Sequence, residues 1–321
     1  MSCLLTQDVD RAAEVLRRGG LVAFPTETVY GLGANAYDSR AVARIFDVKG
    51  RPRLDPIIVH VADVSWLRRV VAEVPKLARE LAERFWPGPL TLVLPKKKSI
   101  PDIVTAGLKT CGVRAPDHPL AQKLLRRADV PIAAPSANRF GQLSPTRAEH
   151  VRAQLGDRID LILDGGPCRI GVESTVLELT GDRPCLLRPG GVTLEELEKV
   201  AGPIEVAQTD AAGPHIPPSS PGQFPQHYAP RTPLIVLDRL EQLPAGQRVG
   251  LITLGPVEPP RPVEAVEVLS QRSDLVEAAA NFFAALHRLD ASDLDLICAL
   301  PFPDQGLGRA LNDRLRRAAA R

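Results

Sequence analysis

The chain has 321 residues, and its 40 Lys and Arg against 38 Asp and Glu leave a formal net charge of +2, which gives no whole-protein attraction to nucleic acid or to an anionic membrane. Hydrophobic residues make up 44% of it but aromatics only 4%, so aliphatic side chains must supply most of the core, and the length predicts one large domain plus a smaller one. The five cysteines, Cys3, Cys111, Cys168, Cys185 and Cys298, are odd in number, scattered and without a CxxC spacing, which argues against a disulfide framework and a cysteine-rich zinc site. The N-terminus, MSCLLTQDVDRAAEV, carries acidic residues where a secretory signal needs an apolar run, and no apolar stretch approaches the roughly 20 residues that span a bilayer. A reducing, cytoplasmic location with no membrane partner is the expectation.

From the start to about residue 207, apolar, partly β-branched runs bounded by Gly or Pro predict strands at 21–24, 57–61, 90–94, 112–115, 132–135, 161–163, 175–179 and 186–188. Amphipathic segments between them predict helices at 10–18, 40–46, 76–85, 120–127 and 145–155. Ser144 before Pro145 reads as an N-cap with proline at the first helical position, and Thr193 with Glu196 has the spacing of a capping box. The pattern is α/β. A proline-dense segment follows, in which helix and central strand are both disfavoured. Three further strands are then predicted at 234–237, 249–253 and 265–269. A helix lined on one face by Leu275, Val276, Ala279, Phe282, Phe283, Leu286 and Leu289, a strand at 294–300 and a helix at 307–319 complete a small α/β domain of about 90 residues. The expected division is 1–207, a linker over 208–232, and 233–321.

Four polar loops sit at predicted strand ends, where open α/β sheets bind ligands. The first is Phe24-Pro25-Thr26-Glu27-Thr28-Val29-Tyr30-Gly31-Leu32-Gly33, a turn with hydrogen-bonding side chains and glycines that allow close backbone approach. The second, Lys49-Gly50-Arg51-Pro52-Arg53, runs through Asp55-Pro56 into a strand containing His60. Its three cations, stiffened by proline, suit a phosphate clamp. A third loop, Ala134-Pro135-Ser136-Ala137-Asn138-Arg139, precedes Ser144-Pro145-Thr146, where a helix N-terminus would favour an anion. The fourth joins Glu173-Ser174-Thr175 to Leu187-Arg188-Pro189-Gly190, with Arg188 held extended before proline. Taken singly, each has a plainer reading: an ordinary strand-ending turn, a solvated basic loop, a core histidine, a simple helix cap.

Together, PTETVYGLG, KGRP, PIIVHV, GVRAP, PSANRFGQLSPT, ESTVLE and LLRPGG resemble the YrdC-like threonylcarbamoyl-AMP synthase family from about residue 8 to residue 200. SPGQFPQHYAP and the tail PFPDQGLGRALNDRL resemble its longer, two-domain members. The resemblance implies a twisted open α/β sheet around a large cavity, plus a small Rossmann-like C-terminal domain. It implies an enzyme that condenses L-threonine, bicarbonate and ATP to threonylcarbamoyl-AMP and pyrophosphate, with Mg2+ on the triphosphate, for later transfer to tRNA by other proteins. Lys49 and Arg51 are implied at the bicarbonate and phosphate charge. Ser136, Asn138, Ser144, Arg188 and Tyr228 are implied around ATP, and Thr26, His60, Thr110 and Ser174 around threonine. No general base for the amine stands out.

Two departures from the family pattern stand in the chain. Many relatives have Asn-Pro-Leu where this chain has Asp55-Pro56-Ile57, so the added carboxylate either weakens the anion site or pairs with Arg53. Phe224, Pro225 and Gln226 stand where some relatives carry Lys, Tyr and Arg. The linker from Ser219 to Pro230 is expected to cover the site as a lid. The competing readings are an RNA-binding protein of the same fold, to which some relatives' weak RNA affinity points, and carbamoyl transfer in hydrogenase maturation. The low net charge and the absence of RNA-module motifs weigh against the first, and the absence of cysteine-rich zinc modules against the second.

Overall fold

The computed structural model describes residues 3–207 and 228–320. Its first part runs β1 (Leu4–Thr6), α1 (Val9–Arg17), β2 (Val22–Phe24), β3 (Gly31–Asn35), α2 (Ser39–Lys49), β4 (Val59–His60), α3 (Leu67–Val70), α4 (Lys76–Phe85) and β5 (Leu90–Pro95). It continues through β6 (Thr110–Arg114), α5 (Pro119–Ala128), β7 (Ile132–Ala133), α6 (Ala148–Leu155), β8 (Leu161–Leu163), β9 (Thr175–Glu178), β10 (Cys185–Arg188), α7 (Leu194–Ala201) and β11 (Glu205–Val206). These strands form one mixed 11-stranded sheet in the order β1-β8-β2-β3-β7-β4-β6-β5-β9-β10-β11. The second part is β12 (Leu234–Val236), β13 (Val249–Thr253), β14 (Ala265–Val268), α8 (Leu275–Ala291), β15 (Leu296–Ala299) and α9 (Leu307–Ala319). Its four strands are all parallel, ordered β12-β15-β13-β14. The chain is α/β throughout, as its alternation predicts.

Local chemistry sets the element ends that matter for the site. Asp38 caps α2, its carboxylate accepting from the Arg40 and Ala41 amides, and Gly50 closes the helix in the left-handed region at φ 64°. Helix α2 therefore runs three residues past the predicted 46 and carries Lys49 at its last turn. Strand β3 lies where the sequence predicts a loop, because Gly-Leu-Gly-Ala-Asn lacks β-branched residues. Packing requires those glycines: a Cβ at Gly33 would stand 2.7 Å from Ile132 Cγ2 and 2.9 Å from the Phe24 ring.

The helix expected over 145–155 begins only at Ala148, and Ser144 is not its cap. The Pro145 carbonyl accepts from the Tyr30 amide at 2.8 Å and the Thr146 carbonyl from the Cys168 amide at 2.9 Å. Those bonds hold the segment extended, and Arg147, at φ −144° and ψ 157°, precedes the first helical residue without a side-chain cap. The capping box of Thr193 and Glu196 is present at the start of α7.

One core cluster joins the two sheets' territories. Phe282, Phe283, Leu286 and Leu289 of α8 and Leu311 and Leu315 of α9 pack with Ile252 and Ile297. Leu143 and Val172 belong to the same cluster, as do Val29 and Tyr228, which line the site. Burying each such side chain stabilises by about 1.5–3 kcal/mol. Gly171, at φ 75°, lies so close to α8 that a Cβ would meet the Ala279 carbonyl at 2.3 Å, so its loop abuts the helix backbone directly. Of the expected linker, residues 208–227 lie outside the described residues.

Candidate active site

Strand ends and the loops beyond them enclose a cavity that is open at its mouth. Beyond β2 the Thr26 hydroxyl donates to the Val29 carbonyl at 2.6 Å and accepts from the Thr28 and Val29 amides at 3.2 Å. This turn fixes Thr26 and Thr28 on the cavity wall. His60 of β4 and Arg114 of β6 are register partners on adjacent parallel strands, so their side chains reach the same wall. Arg114 Nη2 lies 2.7 Å from Glu27 Oε1, and its Nε donates to the Gly88 carbonyl at 3.2 Å. Burial, reinforced by the Arg114 charge, pushes the His60 pKa down to about 3, and its buried Nδ1 has no hydrogen-bond partner. The imidazole is therefore neutral, with one nitrogen available to a ligand.

The basic segment is buried and ordered rather than solvated. Lys49 Nζ donates to the Ser136 carbonyl at 2.6 Å and to the Asn138 carbonyl, tying the end of α2 to the loop after β7. Burial first, and Arg51 second, hold its pKa well below the ordinary lysine value. Arg51 reaches the cavity, donating to the Pro56 carbonyl at 2.8 Å, with Nη2 2.8 Å from Asp55 Oδ2. Asp55 thus pairs with Arg51, not Arg53: the turn through Pro52 brings residues 51 and 55 together. Burial pushes the Asp55 carboxyl up to about 6 even with Arg51 beside it.

The far wall is cross-linked through the loop before β9. Arg188 donates from Nε and Nη2 to the Ser174 carbonyl at 3.1 and 2.9 Å, and from Nη2 to the Ser174 hydroxyl at 3.1 Å. The Ser174 and Thr91 hydroxyls share a 2.8 Å bond. Glu173 accepts from the Ser144 hydroxyl at 2.5 Å through Oε1 and pairs with Arg314 Nε of α9 at 2.8 Å through Oε2. Tyr228 is buried, with its ring centroid 5.7 Å from that of Phe283 and the Arg314 guanidinium carbon 5.4 Å from the ring.

Of the expected residues, Thr26, Arg51, His60, Ser136, Ser174, Arg188 and Tyr228 line the cavity. Lys49, Asn138 and Ser144 stand behind the wall. Asn138 Nδ2 donates to the Arg139 and Gln142 carbonyls at 2.7 and 2.9 Å, while its buried Oδ1 has no hydrogen-bond partner. The structure does not bring Thr110 to this cavity. It starts β6, half-buried and paired with Pro95, roughly 13 Å along the strand from the cavity end at Arg114. Sequence reasoning passed over Arg114 and Glu173, although both lie in the quoted GVRAP and ESTVLE segments at strand ends. Arg314 gave no local signal, since it is one of several arginines on an amphipathic helix.

Comparison with known proteins agrees along nearly the whole length. The Sua5_yciO_yrdC family, described as "Telomere recombination", matches residues 14–190, and "Threonylcarbamoyl-AMP synthase, C-terminal domain" matches residues 192–320. The chain is 46% identical to the threonylcarbamoyl-AMP synthase of Bacillus subtilis (strain 168), over 97% of this chain and 92% of that one. It is equally, 46%, identical to that of Pyrococcus abyssi (strain GE5 / Orsay), over 96% and 93%. The crystal structure of P. abyssi Sua5 complexed with L-threonine matches with a TM-score of 0.92 and 43% identity, covering 99% of this chain and 98% of that one. A shared fold, a shared length and close sequence identity lead to one assignment: this enzyme belongs to the threonylcarbamoyl-AMP synthase family.

Proposed function

We propose that the enzyme condenses L-threonine, bicarbonate and ATP into threonylcarbamoyl-AMP and pyrophosphate, in the cytoplasm, for consumption by tRNA threonylcarbamoyl-transfer proteins. The observation that carries this reading is one cavity lined by three buried guanidinium groups, Arg51, Arg114 and Arg188, beside a neutral His60 and the hydroxyls of Thr26 and Ser174. Such a wall suits polyanions together with a small hydroxylated zwitterion. The similarity to the P. abyssi protein solved with L-threonine supports the amino-acid half.

In the proposed reaction, the threonine amine adds to CO2 derived from bicarbonate and loses a proton, giving a carbamate. A carbamate oxygen then attacks the α-phosphorus in line, and the bond to the β-phosphate bridging oxygen breaks to release pyrophosphate. Catalysis of this kind rests on positioning and charge stabilisation. Arg51, Ser136 and Arg188 serve the phosphates. Lys49, Asn138 and Ser144 act by fixing the wall behind them. Thr26, His60 and Ser174 serve threonine, and Tyr228 closes the wall beside the C-terminal helices.

Mg2+ supplies charge neutralisation on the triphosphate when bound. The buried carboxylates of Glu27, Asp55 and Glu173 are each paired with an arginine, which fits a cation held chiefly by substrate oxygens and water. Mass-spectrometric detection of threonylcarbamoyl-AMP, with pyrophosphate release that needs threonine and bicarbonate together, tests the reading. Equal turnover with L-valine would remove the threonine assignment, because a site that hydrogen-bonds a hydroxyl rejects analogues without it.

A further inference from the structure

We propose that Arg314, on the last helix of the chain, is a positioning residue of the nucleotide site: it holds the Glu173 carboxylate away from the Arg188 guanidinium, keeping Arg188 for phosphate. This rests on the reading of the cavity as an ATP site. Arg314 is fully buried. Its Nε lies 2.8 Å from Glu173 Oε2, and its Nη1 donates to the Pro189 carbonyl at 2.8 Å and to Asp313 Oδ2 at 2.7 Å. Asp313 is independently bound by Arg317 Nε at 3.0 Å, so it does not depend on Arg314 alone.

Glu173 and Arg188 line the same cavity, and Arg188 already donates to the carbonyl of Ser174, the residue next to Glu173. A carboxylate this close, released from α9, has two poor choices. It can stay buried and unpaired, which costs several kcal/mol, or turn to Arg188 and cancel a phosphate-binding charge. Arg314, with the Ser144 hydroxyl on the other oxygen, removes both choices. The C-terminal part thereby contributes to nucleotide affinity without touching the nucleotide.

The experiment measures MgATP affinity by calorimetry, with kcat and KM for each substrate, for the full-length wild type and for Arg314→Met, Glu173→Gln and the double variant. The expected result is that Arg314→Met weakens ATP binding at least about tenfold, the loss of one charge-assisted contact. The loss should appear in KM for ATP and not in KM for threonine. In the Glu173→Gln background the same Met substitution should change ATP affinity less than about twofold, because no carboxylate is left to capture Arg188. If Arg314→Met does not fold, the comparison of Glu173→Gln with the double variant decides, since neither leaves a buried carboxylate unpaired. A further tenfold loss in the double variant overturns the proposal, as does unchanged ATP affinity in Arg314→Met. Failure of the wild type to bind ATP overturns the nucleotide reading itself, and this proposal with it.

Discussion

Arg51 Nη2 and Asp55 Oδ2 lie 2.8 Å apart with both side chains buried, so one of the cations at the proposed phosphate site carries its own counter-charge. Desolvation outweighs that pairing and lifts the Asp55 pKa to about 6, above the roughly 3.9 of an unfolded aspartate. The folded state therefore binds this proton more tightly than the unfolded state. The stabilisation is complete below about pH 4 and is lost as the pH rises through about 6.

Protonation of Asp55 also leaves the charge of Arg51 uncompensated. At pH 8, where Asp55 is ionised, Asp55→Asn is expected to bind ATP roughly tenfold more tightly than the wild type, a gain of about 1.4 kcal/mol. The advantage should shrink below about pH 6 as the wild-type carboxyl takes up its proton. Because ATP itself titrates identically against both proteins, the ratio of the two dissociation constants from pH 5 to 8 isolates Asp55. A pH-independent ratio would contradict this account.

Lys49 and Arg51 are expected to fail differently. Each alanine variant should lose at least roughly a hundredfold in activity, Arg51→Ala by removal of a charge-stabilising group and Lys49→Ala by loosening the wall that Lys49 ties together. Lys49→Ala also strips the donor from the Ser136 and Asn138 carbonyls inside the protein, which costs about 1–3 kcal/mol for each buried acceptor left unpaired. Its melting temperature should fall along with its activity. Thermal melts run beside steady-state kinetics separate the two cases, and full activity in both variants would remove this segment from the catalytic machinery.

The elements legible in the sequence were those whose periodicity or capping is local. The helices Lys76–Phe85 and Leu307–Ala319 and the strands Leu161–Leu163 and Val249–Thr253 have the bounds that hydrophobic spacing predicts. What escaped depends on distant partners. The glycine-rich β3 is a strand because β2 and β7 flank it, and Pro145 is not helical because Tyr30 claims its carbonyl. At the site, motif residues at strand ends were visible, but a sequence does not show which of two neighbouring charges faces inward. The sequence therefore leaves Asp55 between weakening the anion site and pairing with Arg53, and Arg314 is hidden among the arginines of its helix. Thr110 and Arg114 stand at opposite ends of β6, and the sequence does not show which end faces the cavity.

Glu27 and Arg114 form a second buried pair, 2.7 Å apart, on the His60 side of the cavity. Breaking such a pair from one side leaves an uncompensated charge and costs about 3–5 kcal/mol, whereas removing both charges costs far less. Arg114→Gln is therefore expected to melt well below the wild type, and Arg114→Gln with Glu27→Gln to recover most of that loss. Denaturant unfolding of the single and double variants checks this. A double variant as unstable as the single one would mean that Arg114 acts through packing and its bond to Gly88.

Tyr228 allows the contribution of the C-terminal side to be tested from the cavity itself. Its ring is 1% exposed and sits in one cluster with Phe283 and Val29. Replacement by alanine removes a full aromatic ring from a packed site, which costs about 3–5 kcal/mol when neighbours cannot collapse into the space. It also opens the cavity wall, so water should reach a product that hydrolyses readily. The expected result is that Tyr228→Ala, with a lowered melting temperature, yields AMP and free threonine in place of retained threonylcarbamoyl-AMP. Tyr228→Phe, which keeps the ring between Phe283 and Arg314, should remain close to the wild type in stability. A chain ending after residue 207 loses Tyr228, Arg314 and the α8 face together, exposes Val29, Leu143 and Val172, and leaves Glu173 unpaired. It should lose product at least as fast as Tyr228→Ala and be less soluble. Should the truncated chain and Tyr228→Ala both form and retain product as the intact enzyme does, the cavity wall is complete without the C-terminal side, and the coupling argued from Tyr228 and Arg314 is wrong.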